Sequence, residues 1–593
     1  MKQFFLTMAG VFAGLLVFFV VIPIFFLVIT VASLSAKEPT PAQTVLELDL
    51  RNGLSDQTPS SPFAVFGGSG LSTLQIVDTL AQAQTDDRVK SLLIRLPEGG
   101  ITPAAGDEIR QAIRRFRGSG KIVIAHSQGF MPVGTTVSSY MVGASASELW
   151  MQNTSSFQLA GFSAEAMFLG RAFERYGVDP QFEQRYEYKN AVNEYTQSDF
   201  TAAHREAMMA WMTSIYDSAL AHAAADRRQP PEQLKATIEA GPYSAQQALQ
   251  NRLIDKIGHV EEVEAEIKRR AGKNAEIVTL QDYAASVGER TGSGSDVIAI
   301  VGGEGGIVTG RGGGGGPFSS GSSIASDDTA KAIYEAIEDK DVKAIVFRVS
   351  SPGGSPEASE QILAAVRAAK AAGKPVVVSM GDYAASGGYW VSSEANWIVA
   401  QPSTLTGSIG VFGGKFVLAD ALGRFGIDMR HLSVGGEYAD AFSPSQEFTP
   451  AQRAAFAAQI DRTYEEFIAR VSTGRRLPPD RVREIAKGRV WTGAQARSIG
   501  LVDQLGGLEE AIAKAKSLAN IDADTKVRFK RYPEAGSPFE ALSRMFGVSA
   551  QAAQVLIGIG GVMNDPEAEA AVRRIETERA RASGASVLAD QPY

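Results

Sequence analysis

The chain of 593 residues carries a formal net charge of −8, is 44% hydrophobic and 21% charged, and contains no Cys. Its length is too great for one ordinary core, so two or more domains are predicted, and the composition is that of a folded chain. The acidic balance, without a basic stripe interleaved with aromatics, excludes a nucleic-acid-binding surface, and the lack of Cys excludes disulfides, thiolate nucleophiles and Cys-ligated zinc.

Residues 1–36 are predicted to form a membrane anchor helix. No charged residue lies between Lys2 and Lys37, and residues 8–31 are almost wholly apolar. About 20 apolar residues cross a bilayer, whereas a secretory signal has a shorter apolar core of about 7–15. Ser33 and Ser35 leave a cleaved signal as the alternative. Lys2 is the sole cationic flank on the short side, which places the bulk of the chain outside the cytoplasm.

Residues 45–290 and 296–530 read as two copies of one α/β fold, joined at a seam over 291–295. Val89-Lys90-Ser91-Leu92-Leu93-Ile94-Arg95 matches Val342-Lys343-Ala344-Ile345-Val346-Phe347-Arg348 at an offset of 253 residues. Glu187-Tyr188 matches Glu437-Tyr438 at 250, and Leu253-Ile254-Asp255 matches Leu501-Val502-Asp503 at 248. Small drifts at loops, with regular elements held in register, are the signature of a duplication. Continuous apolar runs at 344–349 and 375–380 predict buried strands, and the Ala-rich stretch 357–372 predicts a helix stopped by Gly373. The second copy opens with a strand at 297–301. A Gly-rich loop over 302–328 comes next, and no Gly-Lys-Ser/Thr succeeds it, so it is not a P-loop. Residues 531–593 are predicted to be a helical extension that frays into a disordered end.

The second copy carries three small-residue motifs. Ser351-Pro352-Gly353-Gly354-Ser355 and Ala384-Ala385-Ser386-Gly387-Gly388-Tyr389 each follow a strand, and Pro97-Glu98-Gly99-Gly100 reads as a first-copy remnant of the former. Such turns can aim backbone N–H groups at a developing oxyanion, and Ser386 has the setting of an exposed nucleophile. Thr404-Leu405-Thr406-Gly407-Ser408-Ile409-Gly410 supplies a further serine among glycines. Tight turns without chemistry are the bland reading of each motif taken alone. A serine needs a base. His126, His204, His222, His259 and His431 sit in no triad-like or metal-binding motif and are read as structural or solvated, so a lysine is the expected substitute.

These motifs, together with Arg185-Tyr186-Glu187-Tyr188-Lys189-Asn190-Ala191 in the first half, resemble the long, duplicated form of the signal peptide peptidase A family. The resemblance covers roughly residues 1 to 530. It implies two tandem Clp/crotonase-like domains after one transmembrane helix, with Ser386 as nucleophile and Lys189 as base. It further implies that Ser408 holds the lysine and that the N–H groups of Gly387 and of Gly354 or Gly353 form the oxyanion hole, with no cofactor or metal. The resemblance also implies a serine endopeptidase acting on remnant signal peptides and other apolar or unfolded peptides. It places that enzyme in a homotetrameric bowl on the periplasmic side of a bacterial inner membrane.

The duplication bears on this from within the chain. Lys189 aligns with Ala439, Ser408 with Leu159 and Ser386, to within a few residues, with Val137. Each copy thus keeps what the other lacks, as a site shared between halves requires. For the lysine to act as a base it must be buried away from carboxylates, so Glu187 and Glu194 must point elsewhere. Two other readings remain open: an acyl-CoA-handling enzyme of the crotonase group, and a catalytically silent membrane scaffold.

Overall fold

The structure is a computed structural model describing residues 40–58, 70–312 and 323–533. The expected anchor at 1–36 and all but the first residues of the extension at 531–593 lie outside the described residues. Among the described residues no helix is long and apolar enough to cross a membrane.

Each half is built on a parallel sheet whose strands are apolar on both faces and are therefore covered by helices on both sides. In the first copy the order is Lys256–Ile257, Glu148–Met151, Ile122–Ser127, Val89–Leu96, Thr44–Asp49, Glu276–Thr279, parallel throughout. Alternation along the strands divides the core. Leu46, Leu92 and Ile94 face the helices Thr73–Thr85, Pro103–Gly118 and Thr136–Ala144, while Val45, Leu93 and Ile124 face Val263 and Ile267 of the helix Val260–Ala271.

The second copy repeats this plan. Its sheet runs Val490–Thr492, Leu405–Gly407, Val376–Ala385, Val342–Ser351, Val297–Glu304, Arg528–Tyr532. The antiparallel pairing of Val490–Thr492 with Leu405–Gly407 has its counterpart in Ser156–Phe157 with Tyr243–Ser244. The helices Ala202–Arg227 and Pro450–Arg475 are both 26 residues long, and each ends in a left-handed arginine, Arg228 or Arg476. The central strands run further than their apolar stretches predict: Val342–Ser351 includes the first serine of its motif, Val376–Ala385 reaches the residue before Ser386, and Val297–Glu304 passes through Gly302 and Gly303.

Two contacts lock the halves together. The first is a buried charge cluster. Arg348, on the central strand of the second copy, is 1% exposed and pairs with Asp56 and Glu108 of the first copy, with Nη2 2.8 Å from Glu108 Oε2. Asp382, on the neighbouring strand, accepts from Ala105 N at 3.1 Å, and burial pushes its carboxyl up to about 7. The second is a strand exchange. Asp179–Arg185 of the first copy leaves its own sheet and pairs antiparallel with Val411–Val417 of the second, from Val411↔Arg185 to Val417↔Asp179. Phe173, Phe182 and Tyr195 close around Phe416 on this ladder, with ring centroids 5.2–5.6 Å from it. The exchanged strand ends four residues before Lys189, and so carries that residue into the other half.

Candidate active site

Three segments of the second copy converge on the residues just beyond the exchanged strand. Ser386 terminates the strand Val376–Ala385 and begins the helix Gly387–Ser392 with φ 53° and ψ −118°, a conformation that side chains rarely adopt. It is held there by its N–H donating to Gly407 O at 2.8 Å and by its carbonyl accepting from Trp390 N at 2.9 Å. The hydroxyl therefore projects from a sharp strand-to-helix turn.

Lys189 is 3% exposed. Its Nζ lies 3.0 Å from Ser386 Oγ, 2.9 Å from Ser408 Oγ and 2.8 Å from Ser408 O. Burial alone pulls its pKa down from 10.5 to about 7, with no charged group contributing. The two carboxylates close to it in sequence point away: Glu187 pairs with Lys487 at 3.4 Å at the surface, and Glu194 is exposed. A lysine in this setting is substantially neutral at pH 7, with a lone pair within hydrogen-bond reach of a serine hydroxyl.

The Ser351–Ser355 motif lies against this pair and is fixed at both ends. Gly353 N donates to Ser351 Oγ at 3.1 Å, and Ser355 caps the helix Pro356–Ala371 by accepting from Ala358 N. Ile307 N donates to Gly353 O and Ser355 N donates to Ile307 O, both at 2.9 Å, so Gly354 is bracketed by Ile307. At Gly354, with φ +156°, a Cβ would sit 2.1 Å from Ile307 O, so only glycine fits. The N–H groups of Gly354 and Gly387 donate to no partner among the described residues. They are close, since a Cβ on Gly387 would lie 3.1 Å from Gly354 N. Two free amides beside a half-buried hydroxyl can take up a tetrahedral oxyanion.

The arrangement brings Ser386, Lys189, Ser408, Gly353, Gly354 and Gly387 together. The alignment of Ser386 with Val137 holds to within one residue: Tyr140 OH donates to Leu253 O as Tyr389 OH donates to Leu501 O, and Ser145 and Ser393 end the two helices in matching positions. The first-copy helix starts earlier, after Thr135, so Val137 lies inside its first turn whereas Ser386 precedes the second-copy helix. His126 is buried with Nε2 3.2 Å from Gly258 O, and burial lowers its pKa to about 4. Among the described residues no group of His, Cys, Asp and Glu could hold a metal ion.

Sequence reasoning missed residues 487–489, which touch both the lysine and the Ser408 turn. No motif marked them, since Lys487-Gly488-Arg489 contains no residue type that announces chemistry.

The model for peptidase family S49 matches residues 116–274 and 368–522, once in each copy. The chain belongs to peptidase family S49. Protease 4 of Salmonella typhi is 34% identical over 76% of this chain and 72% of its own length. The chloroplastic serine protease SPPA of Arabidopsis thaliana is 32% identical over 82% of this chain and 70% of its own. Among solved structures, a ClpP1 mutant from Listeria monocytogenes is similar at a TM-score of 0.23 and 14% identity, over 36% of this chain and 94% of that one. This S49 member is a serine peptidase with the family's domain present twice.

Proposed function

We propose that this S49 peptidase is a membrane-bound endopeptidase whose Ser386 attacks peptide carbonyls with Lys189 as its base, and whose substrates are remnant signal peptides and other apolar or unfolded chains. The observation that carries the reading is the 3.0 Å approach of a buried Lys189 Nζ to Ser386 Oγ across the two halves.

Neutral Lys189 takes the Ser386 proton as Oγ bonds to the carbonyl carbon. The carbonyl oxygen becomes an oxyanion between the N–H groups of Gly354 and Gly387. Gly353 supports that hole from behind, its own N–H engaged with Ser351 Oγ. The Lys189 ammonium then protonates the leaving amine as the C–N bond breaks. In the second half a water gives a proton to Lys189 as its oxygen attacks the acyl-enzyme carbonyl, and the ammonium returns that proton to Ser386 Oγ as the ester C–O bond breaks. Ser408 accepts from the amine through both Oγ and O, which turns the lone pair toward Ser386.

The names of the relatives, a protease 4 and a serine protease SPPA, support the peptide substrate class. The apolar run at 8–31 supports attachment to a bacterial inner membrane with both copies on the periplasmic side, where released signal peptides lie at hand. The finer fold assignment, a Clp/crotonase-like domain in each copy, rests on the parallel sheets and the small-residue turns at their strand ends.

Assembly into a homotetramer is part of the same reading, and the strand exchange supports it. Arg175-Tyr176-Gly177-Val178-Asp179, which leads into the exchanged strand, recurs as Arg424-Phe425-Gly426-Ile427-Asp428. The stretch after Asp428 in the second copy is unpaired among the described residues and alternates, with Leu432 103% and Val434 98% exposed. The segment 162–168, the first-copy counterpart of Val411–Val417, is likewise without a ladder, and Met167 on it is 75% exposed. A second chain can repeat between these two edges the pairing that the halves make within one chain, head to tail, until a ring closes.

The test is labelling of the detergent-solubilised full chain with a fluorophosphonate, alongside hydrolysis of a synthetic signal peptide. Wild type labels and cleaves, while Ser386→Ala and Lys189→Met do neither, with losses on the order of 10³-fold or more. Labelling of Lys189→Met at the wild-type rate would show that the base lies elsewhere.

A further inference from the structure

Residues 487–489 form a short loop between the helix Pro479–Ile485 and the strand Val490–Thr492, and they contact both copies at the site. Lys487 O accepts from Tyr188 N at 3.1 Å and from Tyr186 N at 3.4 Å, which fixes the first-copy segment immediately before the lysine. Gly488 N donates to Ile409 O at 2.9 Å, and Arg489 O accepts from Ser408 N at 2.8 Å, which fixes the Ser408 turn. Between these two sets of bonds, Gly488 lies flat against Lys189. With φ +86°, a Cβ there would sit 2.4 Å from Lys189 N, 2.5 Å from its Cβ and 2.6 Å from its Cα.

The loop is itself clamped from both sides. The Arg489 guanidinium lies over the rings of Tyr188 and Trp491, 5.2 and 4.4 Å from their centroids, and its Nη1 is 2.7 Å from Glu206 Oε1. Tyr188 OH donates to Glu206 Oε2, so the residue next to the lysine and the residue next to Gly488 share one carboxylate. Behind the loop, Tyr464 OH donates to Ala486 O at 2.9 Å while its ring meets that of Tyr186.

The duplication supplies a comparison. At the offset of 248 residues that relates the surrounding elements, the first-copy counterpart of Gly488 is Ala240, with φ −81° and ψ −3°. The segment of the second copy that corresponds to the lysine's carries Ala439 instead of a lysine. The neighbouring Gly241 is not left-handed either, so this backbone conformation occurs only in the copy that seats the lysine.

We propose that residues 487–489 are a positioning splint for the serine–lysine pair. Gly488 sets how closely the Lys189 backbone approaches the Ser408 turn, and the carbonyls of Lys487 and Arg489 hold the two segments in register. None of the three touches substrate or the reacting atoms. The inference rests on the reading of Lys189 as base, and it adds that the base is held by a loop with no chemistry of its own. A side chain at 488 must push the lysine back by about 1 Å to reach ordinary contact. A displacement of that size at a reacting centre lowers the rate on the order of 10²-fold.

The test compares Gly488→Ala with Gly500→Ala in the full chain in detergent. Gly500 has the same φ of +86°, but a Cβ there meets only Leu477 side-chain atoms at 3.5 and 3.7 Å, so it reports backbone strain without contact with the lysine. For Gly488→Ala we expect kcat on a signal peptide to fall on the order of 10²-fold with KM little changed. We also expect its fluorophosphonate-labelling midpoint to move to higher pH, as water reaches the displaced amine. Gly500→Ala should melt lower than wild type yet keep the wild-type kcat and labelling midpoint. Equal kcat losses in both variants, or a Gly488→Ala enzyme with wild-type kcat and midpoint, would overturn the splint. If Gly488→Ala does not fold, Glu206→Gln decides. A several-fold fall in kcat with the same upward midpoint shift supports the splint, and unchanged kinetics refute it. Failure of the underlying reading is separately visible, because then Lys189→Met would label like wild type.

Discussion

At the scale of single residues, the proposed chemistry depends on one desolvated amine. Lys189 lies within 3.0 Å of three oxygens and near no carboxylate, so its environment penalises the ammonium without offering it a counter-ion. The folded pKa of about 7 lies below the unfolded 10.5, so the unfolded chain binds more protons across that window. Stability therefore rises with pH from about 7 to 10.5. Lys189→Met removes this penalty, which amounts to roughly 1.4 kcal/mol for each tenfold loss of proton affinity on folding. The variant should melt above wild type at pH 7, with the gap narrowing toward pH 10 in a calorimetric series; a variant melting at or below wild type throughout would contradict the burial argument. Ser408→Ala removes one acceptor of the amine and is expected to lower kcat about tenfold with little change in KM. Steady-state kinetics on the signal peptide check it, and an unchanged kcat would leave Ser408 without a role. Ser386, Lys189 and Ser408 were picked out in the sequence by the family resemblance their segments carry together, since each motif taken alone also reads as a tight turn. Gly488 was not, because its significance lies in the residue that presses against it, 299 positions away in the chain.

At the scale of elements, the strand Asp179–Arg185 decides where the lysine ends up. It has few apolar residues of its own, DPQFEQR, and no alternation strong enough to announce a strand. Its pairing with Val411–Val417 rests on the ladder and on the aromatic cluster around Phe416, none of which a local sequence window contains. The buried parallel strands were legible for the opposite reason, since their apolar runs are continuous. Their ends were not, because Ser350, Ser351 and the residues after Met380 are held in the sheet by neighbouring strands rather than by hydrophobicity. Phe416→Ala opens this cluster and should destabilise the fold by about 2 kcal/mol, given that the ring is only half buried. Acylation should fall in parallel with stability, as the strand that positions Lys189 loosens. Urea denaturation and probe labelling on the same samples test this, and lost stability with intact labelling would mean that the ladder does not position the site.

At the scale of the whole molecule, the duplication was legible from spacing alone, but the docking of the copies was not. Arg348 looked like an ordinary strand residue matched to Arg95, yet it is buried against Asp56 and Glu108 from the other half, whereas Arg95 lies 3.4 Å from Glu47 at the edge of its own core. Removing one partner of such a cluster leaves uncompensated buried charge, which costs about 3–5 kcal/mol. Arg348→Met should therefore unfold at markedly lower urea, and the triple change Arg348→Met, Asp56→Asn, Glu108→Gln should recover much of the loss. Beyond one chain, Leu432→Glu combined with Val434→Glu should reduce the sedimentation mass of the proposed assembly while leaving Ser386 acylation within about twofold, since the pair is complete within a chain. An unchanged mass would place the assembly contact elsewhere. The most direct test of the split serine–lysine site is the pH dependence of Ser386 acylation by a fluorophosphonate. Because only the neutral amine can accept the proton, the rate in wild type should rise with pH, reach half its plateau near pH 7, and be absent at every pH in Lys189→Met. A wild-type midpoint near 10, or a Lys189→Met variant that tracks the wild-type curve, would contradict it.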